Sequence, residues 1–274
     1  MPTCLKERAV AEVSGPEARG FLQSLLTNDI AAMGRGDALW AGLLTPQGKI
    51  LFDFFVFDVG GERFLLDVSA AQREPLLQRM GMYRLRRKVD IAPRDDLAVV
   101  DGELPDAVAA HADPRFGDMG MRSIATREAA AGLPDDAAEY HARRIALGLP
   151  DTDADIGTGR LFPHEANFDQ LGGVSFTKGC YVGQEVVSRM QHRSTTRNRL
   201  LPVAGRGALE TGMEITGAGR RVGEIFSTAG ERGMALVRLD RAAAAIEAGE
   251  PLMAGDVAIR LERPEWAEFD VPGA

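Results

Sequence analysis

Residues 178–185, Lys-Gly-Cys-Tyr-Val-Gly-Gln-Glu, have the clearest chemical potential in the chain. A cysteine acts as a nucleophile or metal ligand through its thiolate, and a nearby cation or helix N-terminus favours that form. Lys178 precedes Cys180, and the apolar residues that follow at helical spacing predict a helix beginning near Cys180. We therefore predict that Cys180 and Lys178 form a reactive centre, in which the ammonium group and the helix start keep the thiol ionised.

Two alternatives stay open for this cysteine. Glu185 would lie over the first turn of the predicted helix, and a carboxylate that faces the sulfur raises the pKa of a thiol. A free cysteine is also often a small buried hydrophobic residue, so Cys180 could belong to the core. The other cysteine, Cys4, has no comparable cation or helix start beside it, and we assign it no function.

Asp53 is the second candidate, because it lies on a predicted strand beside the aromatic residues Phe52, Phe54 and Phe55. Burial among such residues disfavours the carboxylate form. It would raise the pKa of Asp53 and make it a candidate for proton exchange. On a strand whose side chains alternate between core and solvent, Asp53 could equally point outward.

The cysteines and histidines predict neither a disulfide framework nor a resident metal site. The chain has only two cysteines, far apart and without a CxxC pair, which fits a reducing compartment. The four histidines are not spaced as metal ligands. They are His111, His141, His164 and His192.

Composition excludes several classes of function. A length of 274 residues suggests roughly two domains, and 45% apolar residues are enough for a packed core in each. The net charge of −8 argues against a duplex-DNA partner, because neutralisation of phosphates drives such binding. No apolar run has the length of a signal sequence or a membrane span. We therefore expect a soluble cytoplasmic protein without a membrane partner.

The elements that must position these residues follow from hydrophobic periodicity and turn residues. The pattern predicts a helix from Ala18 and a hairpin of two strands, 38–44 and 49–59, joined by a Thr-Pro-Gln-Gly turn. Further predicted elements are strands 63–68, 89–92, 97–100 and 122–126, helices 70–87 and 137–147, and a mobile loop at 151–159. Evenly spaced short strands after residue 198, with one helix at 241–247, predict a small β-barrel.

Three blocks of sequence resemble the YgfZ-type folate-binding proteins, which are relatives of the glycine-cleavage aminomethyltransferase (T-protein). The blocks keep the order of that family and frame about two thirds of the chain. They are 21–30 (Phe-Leu-Gln-x-Leu-Leu-Thr-Asn-Asp-Ile), 43–54 (Leu-Leu-Thr-Pro-Gln-Gly-Lys-Ile-Leu-x-Asp-Phe), and 163–193, which contains Pro-x-Glu-x-Asn-x-Asp and the octet.

The resemblance implies an α+β fold of three domains in a ring, with mainly antiparallel sheets and a C-terminal β-barrel. The first domain would be discontinuous, comprising 1–40 and 122–195. The second would span 41–121 and the barrel 196–274. The family's central channel holds tetrahydrofolate, which would contact Asp53, Tyr181, Gln184 and Glu185 here.

The resemblance also implies a role in the assembly or repair of iron–sulfur clusters, and through it support of tRNA-modifying iron–sulfur enzymes. The family's cysteine corresponds to Cys180. It could act as a nucleophile, a redox group or a transient cluster ligand. The expected partners are folate and iron–sulfur enzymes or cluster carriers.

Two departures from the T-proteins argue against full aminomethyl transfer. The T-proteins have two adjacent acids where this chain has Phe52 and Asp53, and a pterin-contacting glutamate where it has Ala146. Both missing carboxylates would stabilise charge or position the pterin. A folate-dependent aminomethyl or one-carbon transferase is therefore the alternative function.

Basic residues leave direct contact with tRNA open. The run 83–88 and a set of arginines near the octet could bind the glutamate tail of a folate or a tRNA phosphate, or could simply be solvated. The arginines of that set are Arg189, Arg193, Arg197 and Arg199.

Overall fold

A computed structural model describes residues 1–193 and 196–274. In chain order its strands are β1 (Thr3–Cys4), β2 (Arg8–Ser14), β3 (Ala38–Leu44), β4 (Ile50–Gly60), β5 (Arg63–Ser69), β6 (Asp90–Pro93), β7 (Leu97–Asp101), β8 (Ala109–Ala112), β9 (Met121–Thr126), β10 (Asn198–Gly205), β11 (Glu214–Gly217), β12 (Arg220–Ala229), β13 (Arg232–Arg238), β14 (Leu252–Ala254) and β15 (Val257–Leu261). Its helices are α1 (Ala18–Leu25), α2 (Arg73–Arg84), α3 (Ala138–Ala146), α4 (Gln184–Arg193) and α5 (Leu239–Glu247).

Three short helical segments complete the described elements. Two are 3-10 helices, Ile30–Ala32 and Gly117–Met119, and one is a π-helical turn, Thr152–Ile156. None of the helices within these ranges has the length and apolarity of a membrane-crossing segment.

An antiparallel sheet of five strands, in the order β3-β4-β5-β2-β6, positions Asp53. Strand β4 is apolar on both faces, because alternate side chains meet different layers. Phe52, Phe54 and Val56 pack with residues of α1 and α2. Phe55 and Phe57 face the other way, into a core shared with the second sheet, α3 and the barrel. Alternation places Asp53 on that inner face.

The other two strand systems are also antiparallel. Strands β1-β7-β9-β8 form a four-stranded sheet, and β10-β13-β12-β11-β14-β15 close into a six-stranded barrel. The barrel has its own core, which α5 helps to cover. The predicted α+β fold with mainly antiparallel sheets and a C-terminal barrel is therefore confirmed.

The hairpin was predicted closely, since β3 covers 38–44 and pairs with β4 as expected. Strand β2 was not predicted, because its polar Arg8 and Glu12 obscure the apolar pattern of Val10 and Val13. The prediction of a mobile loop at 151–159 is wrong. This segment holds the π-helical turn, in which Thr152, Asp155 and Ile156 are buried.

The division into three domains stays a prediction. Strand pairing shows, however, that a boundary after residue 40 would cut β3, whose seven residues all pair with β4. The five-stranded sheet also draws its strands from both predicted domains, since β2 lies before residue 40 and β4 after it.

Candidate functional site

The octet begins with a lysine that is anchored to the main chain. Lys178 is 8% exposed, and its ammonium nitrogen donates to the carbonyl oxygens of Gln23, Leu26 and Asn28, each at 2.7 Å. An ammonium group has three N–H donors, so all three are engaged. Burial lowers the pKa of Lys178 to about 8, and the group therefore stays protonated at neutral pH. Lys178 holds this segment against the end of α1 rather than donating to the thiol of Cys180.

Cys180 is exposed, which excludes the alternative that it belongs to the core. The predicted helix start at this residue is wrong, because α4 begins four residues later, at Gln184. The thiol therefore stands on a surface segment outside the helix. The nearby Phe176 is also unusually exposed for its type, at 40%.

A glycine contact fixes the octet on the β3–β4 turn. Gly183 has φ +81°, and a Cβ atom there would lie 2.5 Å from the carbonyl oxygen of Thr45 and 3.1 Å from the Cα atom of Gly48. Gly179 has neither a positive φ nor any atom within 4 Å of such a Cβ. Gly183, and not Gly179, is thus the octet residue that requires glycine.

The three remaining octet candidates lie in different surroundings. Tyr181 is buried, and burial raises its pKa to about 12. Its ring centroid lies 5.4 Å from the ammonium nitrogen of Lys178. Gln184 is half-buried at the start of α4, whereas Glu185 is exposed and forms an ion pair with Arg189 at 2.6 Å. Contact of these residues with folate stays a prediction.

Asp53 is buried, with 3% of its surface exposed, and does not point to solvent. One carboxylate oxygen, Oδ2, accepts hydrogen bonds from Trp40 Nε1 at 3.0 Å and Thr152 Oγ1 at 3.2 Å. The other, Oδ1, is buried with no hydrogen-bond partner within the described residues. Burial raises the pKa of Asp53 to about 6, although Arg8 and the Trp40 hydrogen bond oppose this shift. Asp53 therefore titrates close to neutrality.

A buried polar cluster beside Asp53 was not predicted. Asp67 pairs with both Arg8 and Arg122, and Arg8 also donates to Thr152 Oγ1 at 2.9 Å. Burial raises the pKa of Asp67, but the two guanidinium groups outweigh it and hold that pKa below its ordinary value. The Nη2 atom of Arg122 is a buried donor without a partner in the described part of the chain.

Two arginines lie over the aromatic residues of this inner face. The guanidinium carbon of Arg122 is 4.4 Å from the Phe55 ring centroid, and that of Arg115 is 4.9 Å from it. Arg115 is fixed by a buried ion pair with Asp113 at 2.7 Å. The inner face therefore carries two buried polar atoms without partners among the described residues, Asp53 Oδ1 and Arg122 Nη2.

Several of the predicted basic contacts have structural partners. Arg199 is buried and forms a bidentate pair with Asp169 at 2.6 and 2.8 Å, so it is engaged internally. Residues 84–88 are exposed, and within this run Arg87 donates to the carbonyl oxygen of Gly20 and to Ser24 Oγ, each at 3.2 Å. The side chain of Arg193 lies outside the described residues. Direct tRNA contact stays a prediction.

Comparison with known proteins identifies the family. Residues 7–100 match the GCVT N-terminal domain, and residues 197–269 match the CAF17 C-terminal beta-barrel domain. The iron–sulfur cluster assembly factor IBA57 of Homo sapiens, a mitochondrial protein, is 32% identical over 96% of this chain and 84% of its own length. The chain belongs to the IBA57 family. The Mus musculus IBA57 is 31% identical over 86% of this chain and 77% of its own length.

The fold of this IBA57-family chain is that of the T-protein. A crystal structure of the glycine cleavage aminomethyltransferase from Bartonella henselae matches with a TM-score of 0.75, covering 97% of this chain and 86% of that one. Sequence identity is 13%, so the likeness shows the fold alone. The predicted T-protein-like fold is confirmed.

The prediction of a cytoplasmic protein is wrong, because the IBA57 relatives are mitochondrial proteins.

Proposed function

We propose that this chain supports the assembly or repair of iron–sulfur clusters as a YgfZ-type folate-binding factor, with the thiol of Cys180 contacting the cluster during its transfer. Through its client enzymes it would serve tRNA modification. The proposal rests on family membership together with one observation. Cys180 is exposed on a segment that buried Lys178 pins to the end of α1.

An exposed thiol on an anchored segment suits contact with a cluster that is being transferred and is not permanently bound. Within residues 1–193 and 196–274, no three side chains of His, Cys, Asp or Glu are grouped to hold a metal ion. Stable sites usually take three or four protein ligands. A cluster that meets Cys180 would therefore draw its other ligands from a partner, either a cluster carrier or the client enzyme.

The inner face of the five-stranded sheet supports the folate part of the proposal. Among the described residues the buried Oδ1 atom of Asp53 has no donor, and tetrahydrofolate carries N–H groups that could supply one. Arg122 offers the complementary unpaired donor, Nη2. When bound, the folate would supply a one-carbon carrier or a redox-active pterin. The residues of the chain would orient it, with Asp53 taking or giving a proton near neutral pH.

The thiol can be tested by activation of a four-iron client enzyme from its apo form, with a cluster donor present. Cys180→Ser should lower the activation rate at least tenfold while leaving the melting temperature unchanged, because the side chain is exposed. Cys4→Ser is the matched control and should behave like the wild type. Full activity of Cys180→Ser would overturn the role assigned to this thiol.

Folate binding can be tested separately through the fluorescence of Trp40, whose indole N–H binds Asp53 directly. Tetrahydrofolate should quench it in the wild type and not in Asp53→Ala. A Trp266→Phe background removes the other tryptophan. Unchanged fluorescence at saturating folate concentrations would remove folate from the proposal and leave the cluster role standing.

The second candidate is a folate-dependent aminomethyl transferase, which the T-protein fold and the neutral-range pKa of Asp53 favour. Against it, Phe52 and Ala146 replace two acids of the T-proteins. The test is turnover of an aminomethyl donor with tetrahydrofolate. Steady catalysis that Asp53→Asn abolishes would place this function first.

A further inference from the structure

A cavity of about 180 Å³ lies on the barrel, against the segment that follows the π-helical turn. Four arginines from three separate stretches of the chain line it: Arg160, Arg221, Arg238 and Arg241. Its apolar lining residues are Val222, Phe226 and Leu236, of which Val222 and Phe226 are buried. One acidic residue, Glu224, also lines the cavity.

Two of these arginines are neutralised by carboxylates. Arg221 pairs with Glu224 at 2.6 Å and with Glu214 at 3.4 Å, and Arg238 pairs with Asp240 at 2.8 Å. These pairs orient the two guanidinium groups and offset their charge.

Arg160 and Arg241 are not neutralised in this way. Among the residues that the structure describes, neither has a carboxylate within ion-pair distance. Arg241 donates from Nη1 to the main-chain oxygen of Arg221 at 2.7 Å, which fixes its position without cancelling its charge. The guanidinium carbon of Arg160 lies 3.9 Å from the ring centroid of Phe226, a side chain that is 5% exposed.

Stacking on a buried ring prepares Arg160 to bind an anion. The ring holds the face of the guanidinium group, so its N–H donors at the edge remain available. A guanidinium that is already held in place loses less side-chain entropy on binding than a mobile one. Its planar fork matches the paired oxygens of a carboxylate or phosphate.

We propose that this cavity, which we call the barrel cavity, binds an oxyanion between Arg160 and Arg241, as the phosphate or carboxylate group of a small molecule. Its volume admits one such group with a small attached body. Leu236, which is half-buried, contacts the apolar part of that body. The site is independent of Cys180 and Asp53 and lies outside the cluster and folate roles.

The test is isothermal titration of the whole protein at low ionic strength, with pyrophosphate in one series and glutarate in another. Wild type should bind at least one of the two anions at a single site. Arg160→Gln and Arg241→Gln should each weaken that binding about tenfold or more, because each removes charge-assisted hydrogen bonds. Arg260→Gln is the matched control, since Arg260 is exposed on the same barrel but lies outside this cavity.

Each outcome is decisive. Binding of pyrophosphate alone assigns a phosphate ligand and binding of glutarate alone a carboxylate ligand, while binding of both supports a general oxyanion site. Absence of binding by both anions overturns the proposal. So does an equal loss in Arg260→Gln and Arg160→Gln, which would reveal diffuse charge attraction. Cys180→Ser should retain wild-type anion affinity, which separates this test from that of the cluster role.

Discussion

The ammonium nitrogen of Lys178 lies 2.7 Å from the carbonyl oxygen of Leu26, the residue that caps the C-terminus of α1. Carbonyl groups at a helix end lack partners within the helix and carry partial negative charge, so a cation there is stabilising. One buried side chain thus ties the cysteine segment to a helix that precedes it by some 150 residues.

Lys178→Met should lower the free energy of unfolding by about 3 kcal/mol, because three main-chain carbonyls lose a charged donor. Amide hydrogen exchange across 175–183 should also become faster. The control, Lys88→Met, replaces an exposed lysine and should change stability by no more than about 0.5 kcal/mol. Chemical denaturation measures both variants, and equal stabilities would contradict the anchoring role of Lys178.

Gly183→Ala should destabilise the protein by about 2–4 kcal/mol, since φ is +81° and the new methyl group would collide with the Thr45 carbonyl. Gly179→Ala, in the same octet, should stay within about 1 kcal/mol of wild type because it meets no atom. Thermal melting compares the pair. If Gly179→Ala proved the more damaging, the packing of the octet on the hairpin turn would be wrong.

Asp53→Asn should make the protein more stable at neutral pH. The folded-state pKa of Asp53, about 6, lies above its ordinary value of 3.8, so the folded state binds more protons between these two pH values. Its contribution to stability therefore falls as the pH rises through this window. Above this pH window, the ionised carboxylate lowers the free energy of unfolding by an amount on the order of 3 kcal/mol.

An asparagine oxygen can still accept from Trp40 and Thr152 without carrying charge. The stability gain of Asp53→Asn should therefore be largest near pH 8 and shrink to roughly half near pH 5. Urea denaturation at the two pH values measures it, with the exposed Asp118→Asn as control. A gain that is independent of pH would show that ionisation of Asp53 is not its source.

Asp155→Ala should cost about 3–5 kcal/mol, because it leaves the guanidinium group of Arg144 buried without its carboxylate. The two groups lie 2.6 Å apart and are almost fully buried, and Asp155 also accepts from Ser227 of the barrel at 2.6 Å. The double variant Arg144→Met with Asp155→Leu removes both charges and should recover most of the loss. Additive effects of the two single substitutions in denaturation would argue against this coupling.

Hydrophobic periodicity predicted most of the elements, because it reflects how each short segment meets the core. The β3–β4 hairpin, α1, α3 and the strands of the barrel all lie close to their predicted positions. Strand β2 was not predicted because polar residues interrupt its pattern. Helix α2 ends at Arg84, before Leu85, whose φ of +50° no local pattern signals.

The candidate site was only partly predictable. The sequence singled out Cys180 and Asp53 by residue type and neighbours. The structure shows that Cys180 is exposed and that Asp53 is buried. The partners of Asp53 could not be found in this way. Thr152 is 99 residues away along the chain, and Arg8 and Arg122 meet on Asp67 only after folding.

By itself the sequence predicted an iron–sulfur cluster assembly factor and the antiparallel α+β fold with its barrel, and it singled out Cys180, because motifs and periodicity are local properties of the chain. Only the tertiary structure decided that Lys178 binds the carbonyl groups at the end of α1 and that Arg160 and Arg241 line one cavity. It also decided that Asp53 is buried, with one oxygen that has no donor among the described residues. Such pairings depend on which distant segments come into contact. Burial then decides whether a charge is solvated, paired or left free to bind a ligand.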